Sequence, residues 1–127
     1  MGTWGNGNFE SDDALDMLSE WIGQIISKIR EVFTYDSKDT FYDLYGDSGI
    51  VANVDILGTL FDHYGIYPDL EIEEVARWKK DYLATYDRIT SEYVDSASVE
   101  SAKKRRAVIE ATFDRLESVL KSIVSKK

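Results

Sequence analysis

Residues 4–33 of the chain read WGNGNFESDDALDMLSEWIGQIISKIREVF. Two large aromatic residues, Trp4 and Phe9, are separated by Gly5 and Gly7 and stand directly before a segment with helical periodicity. Glycine permits backbone angles that other residues avoid, so the two rings can fold back and dock on the helix that follows. The stretch therefore predicts an N-terminal clasp, closed by Trp4 and Phe9 on the first helix.

The segment from Asp12 to Phe33 carries apolar residues every three or four positions, which predicts an amphipathic helix. Ser11 or Asp12 can cap its first amide groups, and the acidic residues of the first turns suit the positive end of the helix dipole. We expect Trp21 and Ile26 to widen a buried stripe that is formed by Leu15, Leu18, Ile22, Ile25, Ile29 and Val32.

The rest of the chain predicts three more long helices and a short one. Helical spacing of apolar residues places the long ones at residues 50–64, ended by Gly65; from Pro68-Asp69 to residue 93; and from Ser98 or Ser101 to residue 123. The short helix runs from about Lys38 to Tyr45 and stops at Gly46. A Ser-rich bridge at residues 95–98 separates the last two long helices.

No alternating run with a hairpin turn occurs between these elements. Four long helices, one short helix and brief connections predict an all-α bundle with mostly antiparallel neighbours. A chain of 127 residues has the usual size of one domain. We therefore expect a single domain over residues 1–127, with the clasp at 1–10 and an acidic, aromatic connector at 34–47.

Composition narrows the classes of function. The 24 acidic and 15 basic residues give a net charge of −9, which repels nucleic acid and anionic membranes and attracts basic proteins. Acidity that merely keeps the protein soluble is the alternative. The chain contains no cysteine, so thiolate metal sites and cysteine nucleophiles are excluded. With no leader-like or membrane-spanning stretch, we expect a cytoplasmic protein.

The opening Trp4-Gly5-x-Gly7-x-Phe9-Glu10-x-Asp12-x-Ala14 resembles the signature of a small bacterial family, the domain of unknown function 4259. Two later stretches are similar to such proteins as well: Tyr82-Leu-x-x-Tyr86-Asp and Arg105-Arg-x-Val-Ile109-x-x-x-Phe113-x-x-Leu116. The resemblance implies a small, helix-rich bacterial domain. It implies no activity, because the family has no assigned reaction or catalytic residues.

Candidate catalytic and metal-binding residues each have an ordinary structural explanation. His63 is the only histidine, and its place near a helix C-terminus suits the helix dipole. Asp12, Asp16 and Glu20 share a helical face, but carboxylate metal sites on helices normally add a Glu-x-x-His pair. We therefore assign no catalytic residue, metal or cofactor.

An alternative enzymatic interpretation rests on Glu71-x-x-Glu74. A helical, metal-dependent nucleotide phosphohydrolase holds magnesium between paired acidic turns, and this turn supplies one of them. No convincing second turn follows on a neighbouring helix.

The run Lys103-Lys-Arg-Arg106 is the one cluster of basic residues. A nucleic-acid site would require further basic and aromatic residues, so salt bridges to acidic helices are the simpler interpretation. Arg106 lies three residues before Ile109, close to the apolar stripe, and we expect it to hold a carboxylate across the bundle.

The connector is the best candidate for function. Tyrosine contributes binding energy at interfaces with little entropy loss, and carboxylates speed the encounter with a cationic partner. The residues predicted to bind a basic protein are Tyr35, Asp36, Asp39, Tyr42, Asp43, Tyr45 and Asp47. The sequence thus favours a non-enzymatic interaction protein, such as an immunity-type inhibitor of a basic toxin or nuclease. The alternative is a solvated connector whose rings pack down.

Overall fold

The computed structural model describes residues 5, 7–34, 46–66, 69–91 and 96–125, without the side chains of 46–48 and 96–98. Within these ranges the chain forms four α-helices and no strand. They are α1 (Asp12–Phe33), α2 (Gly46–Tyr64), α3 (Ile72–Thr90) and α4 (Ser96–Ser125). The all-α prediction is confirmed, while the short helix predicted at 38–45 lies outside the described residues.

Helix α1 begins at a side-chain cap. Ser11 has extended backbone angles (φ −148°, ψ 154°), and its Oγ accepts a hydrogen bond from the Ala14 amide at 3.3 Å. Asp12 and Asp13 occupy the first turn and Arg30 the last, as the helix dipole favours. Of the two predicted caps, Ser11 is the one used.

Helix α2 ends where the sequence predicts. The Gly65 amide donates to the Phe61 carbonyl at 2.8 Å, and Gly65 has a φ of +62°, which side chains disfavour. The helix begins earlier than predicted, at Gly46 rather than near Ile50. Its polar first turn has no apolar repeat, so periodicity could not reveal it.

The other two helix starts also differ from the prediction. Helix α3 begins at Ile72, four residues after Pro68, because Glu71 has the extended angles of an N-cap residue (φ −80°, ψ 144°). Helix α4 begins at Ser96, so residues 96–98 of the predicted Ser-rich bridge belong to the helix. Serine is unfavourable but tolerated in a helix, so composition alone placed this boundary too late.

The core combines side chains from all four helices. Its largest fully buried members include Tyr82, Phe61 and Phe113, and the Tyr82 and Phe113 rings lie 5.9 Å apart. Helix α4 packs against both α2 and α3, and α1 packs against α2. The Phe33 ring of α1 also stacks on Trp78 of α3, with centroids 5.9 Å apart.

The prediction that Trp21 belongs to the buried stripe of α1 is wrong. Ile26 is buried, as expected, but 55% of Trp21 is exposed, and Met17 one turn earlier is 41% exposed. Trp21 stands one position before the buried Ile22, about 100° away around the helix. The buried face of α1 is therefore narrower than its apolar composition suggests.

Among the helices of the described ranges, none has both the length and the apolar character of a bilayer span.

Candidate functional site

The residues before α1 connect its start to the end of α2. The half-buried Phe9 ring lies 4.8 Å from the Tyr64 ring, at an interplanar angle of 59°. Aromatic pairs prefer such tilted arrangements. Trp4 lies outside the described residues, so the complete clasp stays a prediction.

Glu10 lies beside the two glycines of the opening motif. A Cβ atom at Gly5 would overlap the Glu10 carboxylate, and one at Gly7 would lie 2.9 Å from Glu10 Oε1. The Glu10 amide also donates to the Gly7 carbonyl at 3.2 Å. The sequence assigns these glycines to backbone freedom, but neither has a positive φ, and the exposed Glu10 side chain can move aside for a Cβ.

A cavity of about 480 Å³ opens beside this segment. Glu10 and Leu15 line one side, and His63 and Tyr64 at the end of α2 line the other. The exposed His63 ring packs edge-on against Tyr64, with centroids 4.5 Å apart. No group of three or more His, Asp or Glu side chains suited to a metal ion occurs in the part of the chain that the structure describes.

Glu74 is held by a cation from another helix. Arg30 of α1 donates from Nε and Nη2 to the two Glu74 carboxylate oxygens, at 2.8 Å each, and Nη2 also reaches the Asp69 carbonyl at 3.2 Å. The hydrogen bond to Glu74 raises the pKa of Arg30. The Glu71-x-x-Glu74 turn thus directs its second carboxylate into an α1–α3 ion pair.

Arg106 joins α4 to α3. Its Nε and Nη2 donate to the two carboxylate oxygens of Asp87 at 2.8 and 3.0 Å, and Nη1 donates to Glu110 at 2.9 Å. The hydrogen bond to Asp87 raises the pKa of Arg106. Asp87 is therefore a carboxylate partner across the bundle, of the kind that the sequence predicts for Arg106.

Other ion pairs bind α4 to its neighbours. Lys79 of α3 donates to Asp114 at 2.6 Å, and Arg115 reaches Asp55 of α2 at 3.3 Å. Lys103 lies 4.0 Å from Glu100. Among the described residues of the second half, Lys79, Lys103, Arg106 and Arg115 are thus placed beside carboxylates.

The net charge is divided unevenly along the chain. Residues 1–64 contain 12 acidic and 3 basic residues, whereas residues 65–127 contain 12 of each. The first half, which includes α1 and α2, therefore carries the whole net charge of −9. Asp13, Asp16 and Glu20 of α1 are exposed, and the described part of the structure shows no ion pair to them.

A family model described as "Domain of unknown function (DUF4259)" matches residues 2–125. The chain belongs to the DUF4259 family. This confirms the resemblance seen in the sequence. No curated protein and no solved structure matches the sequence.

The predicted binding connector of this DUF4259 domain lies almost entirely outside the described residues. The connector residues outside the described ranges are Tyr35, Asp36, Asp39, Tyr42, Asp43 and Tyr45. Asp47 is described only as backbone, in the first turn of α2. The connector joins the C-terminal end of α1 to the N-terminal end of α2. It therefore lies within the acidic half of the chain.

Sequence reasoning missed two exposed apolar residues of the DUF4259 domain, Met17 and Trp21. They stand four residues apart, and each directly follows an acidic residue, Asp16 or Glu20. Apolar residues at helical spacing are usually buried, so both were counted toward the core or passed over. The acid before each residue was no signal of exposure, because Val75 and Tyr82 also follow acids and are fully buried.

Proposed function

We propose that this chain is a non-enzymatic, acidic interaction module that binds a basic protein. The observation that carries the proposal is the division of charge: residues 1–64 hold the entire net charge of −9, and residues 65–127 are neutral. A field concentrated on one part of a molecule steers an oppositely charged partner toward it and opposes wrong partners.

The connector supplies the residues that we assign to binding. Its tyrosines offer large, rigid contact areas, and its aspartates surround them with negative charge. The assigned residues are Tyr35, Asp36, Asp39, Tyr42, Asp43, Tyr45 and Asp47. A cytoplasmic immunity-type inhibitor, which covers a basic toxin or nuclease, is the biological role that such a surface suits.

The alternative, a metal-dependent nucleotide phosphohydrolase, requires Glu71 and Glu74 as magnesium ligands. The structure weighs against it, because the Glu74 carboxylate is only 17% exposed and accepts two hydrogen bonds from Arg30. A metal ion at Glu74 would have to displace that guanidinium group.

Charge reversal in the connector tests the proposal. The immobilised chain is incubated with a lysate of the native host, and the amount of each captured basic protein is measured by mass spectrometry. We expect Asp39→Lys with Asp43→Lys to reduce capture of the main basic partner at least about tenfold, with little change in Tm.

The matched control carries the same change of charge in the neutral half. Glu73→Lys with Glu100→Lys alters two exposed acids on α3 and α4. It should leave capture close to that of the wild type. Equal capture by the connector variant and the wild type would contradict the proposal.

A further inference from the structure

The outer edge of α1 exposes two apolar side chains that the described part of the fold leaves in contact with water. Trp21 is 55% exposed and Met17 is 41% exposed, and residues four apart on a helix lie one above the other. We call these two residues the α1 edge. A tryptophan can bury 150–250 Å² in a core, so leaving more than half of it in water forgoes much stabilisation. Single exposed apolar side chains are common on protein surfaces, but two that adjoin one another offer a partner a continuous apolar contact area.

The geometry of α1 turns this edge away from α3. Arg30 binds Glu74 of α3, which identifies the side of α1 that faces α3. Trp21 precedes Arg30 by nine residues, which places it about 180° around the helix. The α1 edge therefore points away from α3.

Acidic side chains lie along one side of the α1 edge. Asp13, Asp16 and Glu20 are exposed on the same helical turns as Met17 and Trp21. Residues 1–27 contain five acidic residues, and the first cation of the chain is Lys28, two turns after Trp21 on the same face of α1. An apolar surface beside these acids is complementary to a partner that combines apolar and cationic side chains. The ring of an exposed tryptophan is also the best aromatic acceptor for a lysine or arginine cation.

We propose that the α1 edge docks a basic, amphipathic segment of a partner protein, with a cationic side chain on the Trp21 ring. The inference rests on the proposed function and adds a second contact surface, outside the connector. It names the partner's chemistry: apolar side chains against Met17, and lysine or arginine toward Asp16 and Glu20.

The net charge disfavours the other occupants of this surface. Two copies of the chain each carry a net charge of −9, so their mutual repulsion opposes a dimer. An antiparallel two-fold pairing of α1 would bring Asp13 near Lys28 of the second copy, so sedimentation tests the dimer directly. Nucleic acid and anionic lipid are repelled by the same net charge.

A designed peptide serves as the probe. It is a 16-residue amphipathic peptide of leucine and arginine, and a counterpart carries glutamate in place of arginine. The full-length chain is titrated with each peptide, while the tryptophan indole N–H signals are followed by NMR. The Trp21 signal is assigned with Trp21→Phe. We expect the arginine peptide to shift the Trp21 signal and the glutamate peptide to leave it unchanged.

Variants locate the contact. Trp21→Ser and Met17→Ser should each weaken binding of the arginine peptide, the former at least about tenfold. Val108→Ser is the matched control, since Val108 is 52% exposed on α4. It should bind like the wild type, and circular dichroism checks that all three variants retain the wild-type helix content.

Three results would overturn the inference: unchanged binding by Trp21→Ser, equal binding of both peptides, or a dimer in sedimentation that Trp21→Ser dissociates. The connector variant separates this inference from the proposed function. If Asp39→Lys with Asp43→Lys loses the host partner while Trp21→Ser keeps both partner and peptide, the proposed function stands and the α1 edge does not. If Trp21→Ser loses both the host partner and the peptide while the connector variant keeps them, binding at the α1 edge is supported and binding at the connector is not.

Discussion

Arg30 of α1 and Glu74 of α3 form a two-point ion pair, with both hydrogen bonds at 2.8 Å. The planar guanidinium matches the carboxylate geometry, so the pair fixes the orientation of two helices. The same contact engages Glu74, one of the two acidic residues that the magnesium-dependent alternative requires. One pair thus bears on both the fold and the function.

Glu74→Gln is expected to lower the free energy of unfolding by about 1 kcal/mol, since it removes a charge-assisted pair that is partly screened by solvent. Chemical denaturation measures the change. Glu73→Gln, one position earlier and exposed, is the control and should differ little from the wild type. A loss at Glu73 equal to that at Glu74 would mean that the effect comes from helix charge and not from Arg30.

Magnesium or manganese should leave the melting temperature unchanged. A ligand that binds the folded state raises its stability, and Glu74 is already bound by Arg30. Differential scanning calorimetry with and without millimolar metal provides the measurement. A rise in Tm that Glu74→Ala abolishes would instead support the phosphohydrolase.

Gly5→Ala should change the free energy of unfolding by only about 0.5 kcal/mol or less, because the Glu10 carboxylate that the added Cβ would overlap is the end of an exposed, flexible side chain and can move aside. A double-mutant cycle with Glu10→Ala should therefore show little coupling between the two positions. Gly23→Ala is the control: its Cβ meets nothing within 4 Å, so it should stabilise the exposed helix by about 0.5–1 kcal/mol. Strong coupling of Gly5→Ala with Glu10→Ala would show that the Glu10 side chain is fixed in place and obstructs a Cβ at residue 5.

On the alkaline side, the Lys79–Asp114 pair should weaken only in strongly alkaline solution. The hydrogen bond to Asp114 raises the pKa of Lys79 above its ordinary 10.5. A base with a raised pKa in the folded state contributes full stability below its unfolded pKa and loses it as the pH rises through the folded value. The stability difference between wild type and Lys79→Gln, a few tenths of a kcal/mol to about 1, should therefore be constant near neutral pH and shrink above 10.5. A stability difference that already shrinks as the pH is raised from 7 to 9 would contradict this assignment.

Local chemistry made much of the fold predictable. Ser11 is a strong capping residue, Gly65 accepts positive φ, and the apolar repeat of α1 has the helical period, so helix type and several ends follow from the sequence. The starts of α2 and α4 were missed because their first turns are polar. The helical conformation of these first turns depends on the residues that follow them in α2 and α4.

The exposure of Trp21 was not predictable from periodicity. Its position beside Ile22 fits a wide buried stripe, and only the arrangement of the neighbouring helices decides that the stripe is narrow. The partners of Glu74 and Arg106 depend in the same way on which helices are adjacent. Charge along the chain, by contrast, can be counted directly, and its division between the two halves could have been seen at the start.

The central claim is that the position of negative charge, and not its total, creates the binding surface. The direct measurement is calorimetric titration of the arginine–leucine peptide into two variants with equal charge loss. One carries Asp13→Asn, Asp16→Asn and Glu20→Gln; the other carries Glu71→Gln, Glu73→Gln and Glu100→Gln. We predict at least about a tenfold loss of affinity for the first and less than about a twofold loss for the second. Equal losses in the two variants would contradict the account.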